Sequence, residues 1–225
     1  MSAPEAATPK PKVEQMRISI LGDTDIGKDC LAKRYCFDMF MNEYDPMYEG
    51  EGHRKQCVIS DIRCMLTVDH PHPLWTDSSN HAFVIASEAD ALLLAYDGTS
   101  PKSIDVIRLA KEKLQPHISG AAFPPMVVAA TKSDRAEELG ERWEKGLTAG
   151  RALANELDVP FFETSSLLGN GVQEAIEDLA TKVLQRRGVL EGEAVNPEEE
   201  TAGSQPAGPP KKRSKLSSNI NELTG

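Results

Sequence analysis

The sequence of 225 residues lacks the features of several specialised classes of protein. It has no apolar run near the ~18 residues that cross a bilayer, and its Ala/Pro-rich start has no apolar core typical of a secretory signal. Positive charge is scarce: 25 Lys and Arg against 35 Asp and Glu give a net charge of -10, which argues against general nucleic-acid binding. The hydrophobic fraction of 40% is typical of a soluble globular protein, so we expect a cytosolic one.

Cysteine is also scarce, with four residues that all lie in the first third of the chain. Their spacing fits no familiar zinc motif, and the chain has no export signal, so we expect a reducing compartment. We interpret these cysteines as small, buried, apolar residues. They are Cys30, Cys36, Cys57 and Cys64.

The two ends have compositions that cannot build a core. Residues 1–14 are rich in Pro and Ala, and residues 188–225 hold an acidic run, a Gly/Pro linker and the basic cluster "KKRSK", Lys211 to Lys215. We expect both to be disordered tails around one folded domain at 15–187. For the basic cluster, nuclear targeting, weak contact with anionic lipid and no role remain open alternatives.

Between the tails, short apolar runs alternate with amphipathic segments. The runs "RISIL" (17–21), "ALLLAY" (91–96), "PMVVAAT" (125–131) and "PFFETS" (160–165) predict buried strands, and "KQCVIS" with "RCMLTV" predicts a hairpin around Asp61-Ile62. Helices are predicted at 28–38, at 103–114, at 141–157 and at 171–187. The pattern predicts an α/β fold with a mostly parallel sheet. Ligands of such sheets bind beyond the carboxyl ends of the strands.

The segment "GDTDIGKD" (22–29) differs by one residue from the phosphate-binding pattern G-x-x-x-x-G-K-[ST]. It lies between a predicted strand and a predicted helix, where glycines and backbone N–H groups can wrap phosphate oxygens. The alternative is an ordinary Gly-rich turn before a helix. The predicted phosphate-binding residues are Gly22, Asp25, Ile26, Gly27, Lys28, Asp29 and Cys30.

Two further segments follow predicted strands. "TKSD" (131–134) offers an Asp that can accept two hydrogen bonds from a guanine edge, a donor pair that adenine lacks. "ETSS" (163–166) follows the next strand. Each is a weak signal alone, but the order phosphate loop, "TKSD", "ETSS" is a strong one.

With these motifs, the chain resembles a Ras-type small GTPase over about residues 15–187, including the stretch "FMNEYDPMYEG" (40–50), which is similar to the first switch. The resemblance implies a P-loop G domain, an α/β fold whose mostly parallel, six-stranded sheet is flanked by about five helices. It also implies binding of GTP or GDP with Mg²⁺, and effector or regulator contacts through 40–50 and 69–85. It implies that Phe40 lies against the guanine and that Lys132 packs across the ring. The guanine-binding residues implied are Phe40, Thr131, Lys132, Asp134, Ser165, Ser166 and Leu167.

The departures from the family gather at the magnesium and γ-phosphate end. Asp29 replaces the hydroxyl ligand of Mg²⁺, and a carboxylate ~4 Å from a phosphate repels it by about 4 kcal/mol at an effective dielectric of ~20 before a metal offsets this. Met47 replaces a threonine ligand, and a thioether is a poor ligand for Mg²⁺. The second switch, "VDHPHPLWTD" (68–77), lacks the Gly that contacts γ-phosphate and the Gln that orients water.

The metal ligands expected are Asp29 and Asp69, although an ungapped alignment places His70 where the family has its second-switch Asp. The His70-x-His72 pair is a weaker hint of a metal site. We predict a monomeric signalling protein that binds guanine nucleotide and hydrolyses GTP weakly or not at all. A slow or activator-dependent GTPase and a nucleotide-free scaffold are the alternatives. The tail ends "NELTG" without cysteine, so no lipid anchor is expected.

Overall fold

The computed structural model describes residues 12–41, 52–71, 84–85, 87–118 and 123–190. These residues contain a six-stranded sheet, in the spatial order β2-β3-β1-β4-β5-β6. Strands β2 and β3 form an antiparallel hairpin, and the other neighbours run parallel. The strands are β1 (Glu14–Leu21), β2 (His53–Ile59), β3 (Ile62–Asp69), β4 (Ala91–Asp97), β5 (Met126–Thr131) and β6 (Phe161–Glu163).

Five α-helices lie within the described residues and cover both faces of the sheet. One face packs against α1 and α5, and the other against α2 and α4, as the two sets of buried side chains show. Each central strand therefore supplies alternate residues to two cores, which is why β4 and β5 are apolar up to their last residues, Asp97 and Thr131. The helices are α1 (Lys28–Phe37), α2 (Ile104–Leu114), α3 (Ala136–Leu139), α4 (Glu141–Leu157) and α5 (Val172–Arg186).

The predicted α/β class, the mostly parallel sheet and the count of six strands and about five helices are confirmed. The hairpin turn lies at Ser60–Asp61 rather than Asp61–Ile62, and both residues have positive φ (47° and 64°), as a two-residue hairpin loop of type I′ requires. The predicted helix at 28–38 ends at Phe37, because Asp38 adopts the left-handed conformation that caps it.

The four cysteines are free thiols, and they are less buried than expected. Cys64 is fully buried, but Cys30, Cys36 and Cys57 are only half-buried. In the part of the chain that the structure describes, no helix is both long and apolar enough to span a bilayer.

Candidate functional site

The phosphate loop joins β1 to α1, as the sequence predicts. A Cβ on Gly22 would collide with the carbonyl oxygen of Ala95 on the next strand, so only glycine fits there. Gly27 has a φ of 92° and directly precedes α1. Lys28 is 8% exposed, and its amine donates to the carbonyls of Gly22 (3.1 Å) and Asp23 (2.5 Å). The loop therefore curls around its own lysine at the N-terminus of a helix, where an anion is favoured.

The other predicted phosphate-loop residues lie in different environments. Ile26 is 2% exposed and belongs to the core, so only its backbone is available to a ligand. Asp25 is exposed, with a φ of 57°. Cys30 is half-buried, and its Sγ lies 3.5 Å from the carbonyl of Met41. Burial and the neighbouring Asp29 raise the pKa of the Cys30 thiol.

Thr131, at the end of β5, fastens the phosphate loop to the sheet. Its side chain is 3% exposed, and its hydroxyl lies 2.8 Å from the carbonyl of Ile26 and 3.1 Å from the carbonyl of Tyr96. The residue thus faces the loop from inside the protein. Its contacts hold the phosphate loop against the end of β5, where the predicted guanine-binding segment begins.

Lys132, in the "TKSD" segment, connects that segment to the phosphate loop. It has a left-handed φ of 66°, and its amine donates to the Asp25 carbonyl at 2.9 Å and to the Asp97 carboxylate at 2.8 Å. Burial raises the pKa of Asp97, but the hydrogen bonds from Lys132 and Thr99 outweigh it, so this pKa is lowered overall. Sequence reasoning missed Asp97, although its place as the last residue of an apolar strand was a usable signal.

Asp134 is held by the loop that follows β6. The Ser165 hydroxyl donates to Oδ1 of Asp134 at 2.6 Å, and Oγ of Ser165 accepts from the backbone N–H of Leu168 at 3.1 Å. The backbone N–H of Ser133 donates to the carbonyl of Thr164 at 3.1 Å. The "TKSD" and "ETSS" segments therefore form one hydrogen-bonded unit that orients a carboxylate.

Arg34 ties this unit to α1. Its Nε donates to the carbonyl of Ser166 at 2.6 Å, and a terminal nitrogen donates to the carbonyl of Leu167 at 3.0 Å. Leu167 and Phe40 keep exposed side chains, 48% and 38% respectively. Sequence reasoning did not find Arg34, because nothing in a lone arginine of an amphipathic helix points to a loop 132 residues away.

Asp29 lies beside two histidines. Its Oδ1 is 3.4 Å from Nε2 of His53, at the start of β2, and 3.3 Å from Nε2 of His70, directly after β3. Its Oδ2 pairs with Lys33 at 2.8 Å. Burial raises the pKa of Asp29, but contacts with His70, Lys33 and His53 outweigh it and hold that pKa well below its usual range.

The structure brings His70, and not Asp69, to Asp29. Val68 is fully buried in the core under α1, and His70 continues that face of β3. Asp69 lies on the opposite face, where it pairs with Arg17 at 3.0 Å. A shift of one residue along a strand changes the face of the sheet, so the placement of Asp69 does not support it as a partner of Asp29 in metal binding.

Several residues named from the sequence lie outside the described part of the chain. They include most of the first-switch stretch, at 42–50, most of the 69–85 surface, at 72–83, and both tails beyond 12–190. Met47, His72 and the basic cluster Lys211 to Lys215 belong to these segments.

The phosphate loop after β1 and the paired loops after β5 and β6 lie at one edge of a mostly parallel sheet. Such an arrangement defines the class of small GTP-binding proteins with a P-loop. The sequence model described as "Ras: Ras family" matches residues 17–185, and the chain therefore belongs to the Ras family.

Three similar proteins also have names that refer to Ras. Identity is 29% over 171 residues to "Ras-like protein 1" of Saccharomyces cerevisiae, covering 76% of this chain and 53% of that protein. It is 27% over 176 residues to "Ras-like protein rasU" of Dictyostelium discoideum, covering 76% and 77%. It is 27% over 193 residues to "Protein ras-2" of Neurospora crassa, covering 76% and 80%. The chain thus matches about half the length of the yeast protein and more of the other two.

Ras-family proteins bind guanine nucleotides with Mg²⁺. Mg²⁺ prefers an octahedral set of oxygen ligands that includes several waters. Among the described residues, those beside the phosphate loop offer one carboxylate oxygen and two imidazole nitrogens, with Asp29 in place of a hydroxyl. Imidazole suits transition metals rather than magnesium, so this donor set does not fit Mg²⁺.

Proposed function

We propose that this Ras-family protein binds GTP and GDP, and that the base end of its pocket supplies the selectivity for guanine. The observation that carries this proposal is the Asp134 carboxylate, fixed by the Ser165 hydroxyl at 2.6 Å in a loop that Thr131 and Lys132 fasten to the phosphate loop. A carboxylate in that place is an acceptor only, which complements the two adjacent N–H donors of guanine.

Exchange of one donor–acceptor pair tests this directly. Asp134→Asn keeps the shape of the side chain but replaces one hydrogen-bond acceptor by an N–H donor. The new side chain complements xanthine, which has a carbonyl acceptor where guanine has its exocyclic amine. We expect GDP binding to weaken by about 100-fold or more, since hydrogen bonds to a charged group contribute ~1.5–3 kcal/mol each. Binding of xanthosine diphosphate should strengthen.

The matched control is Asp105→Asn, an isosteric change at a carboxylate on α2 that is 80% exposed. Both variants are titrated with fluorescent GDP and fluorescent xanthosine diphosphate. Release of bound nucleotide by denaturation, followed by chromatography, checks the wild type independently. No released guanine nucleotide and no uptake of GDP or GTP would favour the nucleotide-free scaffold instead.

We further propose that intrinsic GTP hydrolysis is weak or absent. Phosphoryl transfer depends on positioning and on metal and hydrogen-bond stabilisation of the γ-phosphate. The sequence replaces two magnesium ligands by Asp29 and Met47, and it lacks the second-switch Gly and Gln. A single-turnover assay with excess protein should show GTP conversion close to the uncatalysed background. A rate typical of intrinsic small GTPases would contradict this part of the proposal.

Residues 40–50 and 69–85 are the surfaces through which we propose contact with effector or regulator proteins in signal transduction, in the cytoplasm. Crosslinking from these two segments in cell extract, compared between GDP-loaded and GTP-loaded protein, tests this role. Captured partners that do not depend on the nucleotide would argue for a constitutive interaction module.

A further inference from the structure

We infer that Asp29, His53 and His70 form a binding site for a divalent transition metal of the zinc type, at the position where a Ras-family protein would hold Mg²⁺. The three side chains come from three different elements: the start of α1, the start of β2 and the residue after β3. Their ligand atoms all lie within 4.8 Å of one another. We call this group the Asp29 cluster.

The two distances from Asp29 to the histidines of the Asp29 cluster match those of a tetrahedral zinc site. Zinc bonds of ~2.0–2.1 Å to nitrogen and oxygen place neighbouring ligands of a tetrahedron ~3.3–3.4 Å apart. The Oδ1 of Asp29 lies 3.4 Å from Nε2 of His53 and 3.3 Å from Nε2 of His70. Adjacent ligands of an octahedral Mg²⁺ would lie closer, at ~2.9 Å, and would be oxygens.

A second observation points to a ligand. His70 is 6% exposed, and among the described residues its Nε2 has no hydrogen-bond partner despite its closeness to Asp29. Buried polar atoms are rarely left without a partner, because losing contact with water costs free energy. A metal ion between Asp29 and His70 would use this nitrogen as a ligand.

The surroundings also orient the donors. Lys33 holds Oδ2 of Asp29 at 2.8 Å, so Oδ1 is the oxygen directed at both imidazoles. The rings of His53 and Phe37 pack in a T-shaped arrangement, with centroids 5.3 Å apart. The positive charge of Lys33 opposes the binding of a cation. However, two imidazoles and one carboxylate, with the fourth coordination position open, form a known set of zinc ligands. A neutral imidazole pair and one carboxylate leave a bound Zn²⁺ with a net positive charge next to the phosphate loop.

The first test is zinc binding by nucleotide-free protein stripped with a chelator. Competition with a chromophoric zinc chelator should show one equivalent bound, with Mg²⁺ in large excess causing little displacement. Co²⁺ should give the intense visible bands of a tetrahedral site rather than the faint bands of an octahedral one. No stoichiometric uptake of zinc, or faint cobalt bands only, would overturn the inference.

Variants then assign the ligands. His53→Ala and His70→Ala should each weaken zinc binding by about 100-fold or more, since loss of even an outer-shell partner of a zinc ligand costs ~10–100-fold. His117→Ala, at a histidine outside the Asp29 cluster, is the matched control and should bind zinc like the wild type. Circular dichroism checks that each variant is folded. Unchanged zinc affinity in both folded cluster variants, or a loss in the control alone, would refute the assignment.

This inference and the proposed nucleotide binding fail separately. Zinc uptake without any GDP binding would leave the metal site standing and remove the proposed function. GDP binding without zinc uptake would do the reverse. Asp29→Ser probes both, because it restores the oxygen donor usual in the family; zinc affinity should fall, and GDP affinity should become dependent on Mg²⁺.

Discussion

Removal of one buried hydroxyl tests how the two ligand-binding loops are held together. Thr131→Val keeps the shape of the side chain and its β-branch but deletes the hydroxyl that lies 2.8 Å from the carbonyl of Ile26. A hydrogen bond contributes ~1 kcal/mol net, and a buried carbonyl left without its partner costs ~1–3 kcal/mol. We therefore expect a loss of about 2 kcal/mol in the free energy of unfolding, or about 4–8 °C in Tm for a domain of this size.

Thr67→Val is the matched control, because Thr67 is a half-buried residue towards the end of β3. A change at such a partly exposed position alters stability by ~0.5 kcal/mol or less. Urea and thermal unfolding of both variants, followed by circular dichroism, give the comparison. If Thr131→Val lowers the free energy of unfolding no more than Thr67→Val does, the Thr131 hydroxyl does not hold the phosphate loop against β5, and the reasoning is refuted. If the reasoning holds, GDP affinity should also fall in Thr131→Val.

Three further perturbations test other parts of the structure. Asp97→Asn should destabilise the protein at pH 7 by about 1 kcal/mol, because the charged bond from Lys132 is lost. Since the folded-state pKa of Asp97 is lowered, its stabilisation is present above the unfolded value of 3.8 and is lost as pH falls, so urea unfolding at pH 3 should show a smaller difference. A difference that does not change with pH would contradict this. Burial raises the pKa of Cys36 to about 11, so iodoacetamide labelling resolved by mass spectrometry should be slow at pH 8 and rise towards pH 11; rapid labelling at neutral pH would be inconsistent with that environment. Tyr96→Phe should lower the free energy of unfolding in urea by about 1–2 kcal/mol, because the buried Tyr96 hydroxyl donates to an α4 carbonyl at 2.9 Å. Tyr35→Phe is the control, since it loses only a weak 3.8 Å contact to sulfur. Equal losses of stability in the two variants would argue against a strong Tyr96 hydrogen bond.

The fold was predictable because local signals and the global arrangement agree. Apolar runs such as 91–96 mark strands buried on both faces, and the amphipathic stripe of 103–114 marks a helix that covers one face. The limits of the elements were less accurate. Strand β1 begins at Glu14 rather than at 17, because its first residues gain pairing with β3 that a count of apolar residues does not register.

The candidate site was predictable where it follows short motifs. The phosphate loop and the "TKSD" and "ETSS" segments are contiguous, and their order fixes their meeting at one edge of the sheet. Contacts between distant residues were not predictable in this way. Asp97 and Arg34 act through single hydrogen bonds to segments far along the chain. His53 gave no signal, because only the register of the hairpin brings it towards Asp29.

The ambiguity between Asp69 and His70 shows why the hairpin matters. From the sequence alone, one gap in the alignment decides which residue lies beside the phosphate loop. The sheet resolves this, because the pairing of β1 with β3 fixes the register, and the pleat then assigns alternate residues to opposite faces. The register that directs the imidazole of His70 at Asp29 therefore directs the carboxylate of the preceding residue, Asp69, to the opposite face. There Asp69 pairs with Arg17. The presence of an imidazole rather than a second carboxylate beside Asp29 is thus a consequence of strand register, and the hydrogen bond between Ser165 and Asp134 in the loops after β6 and β5 does not depend on it.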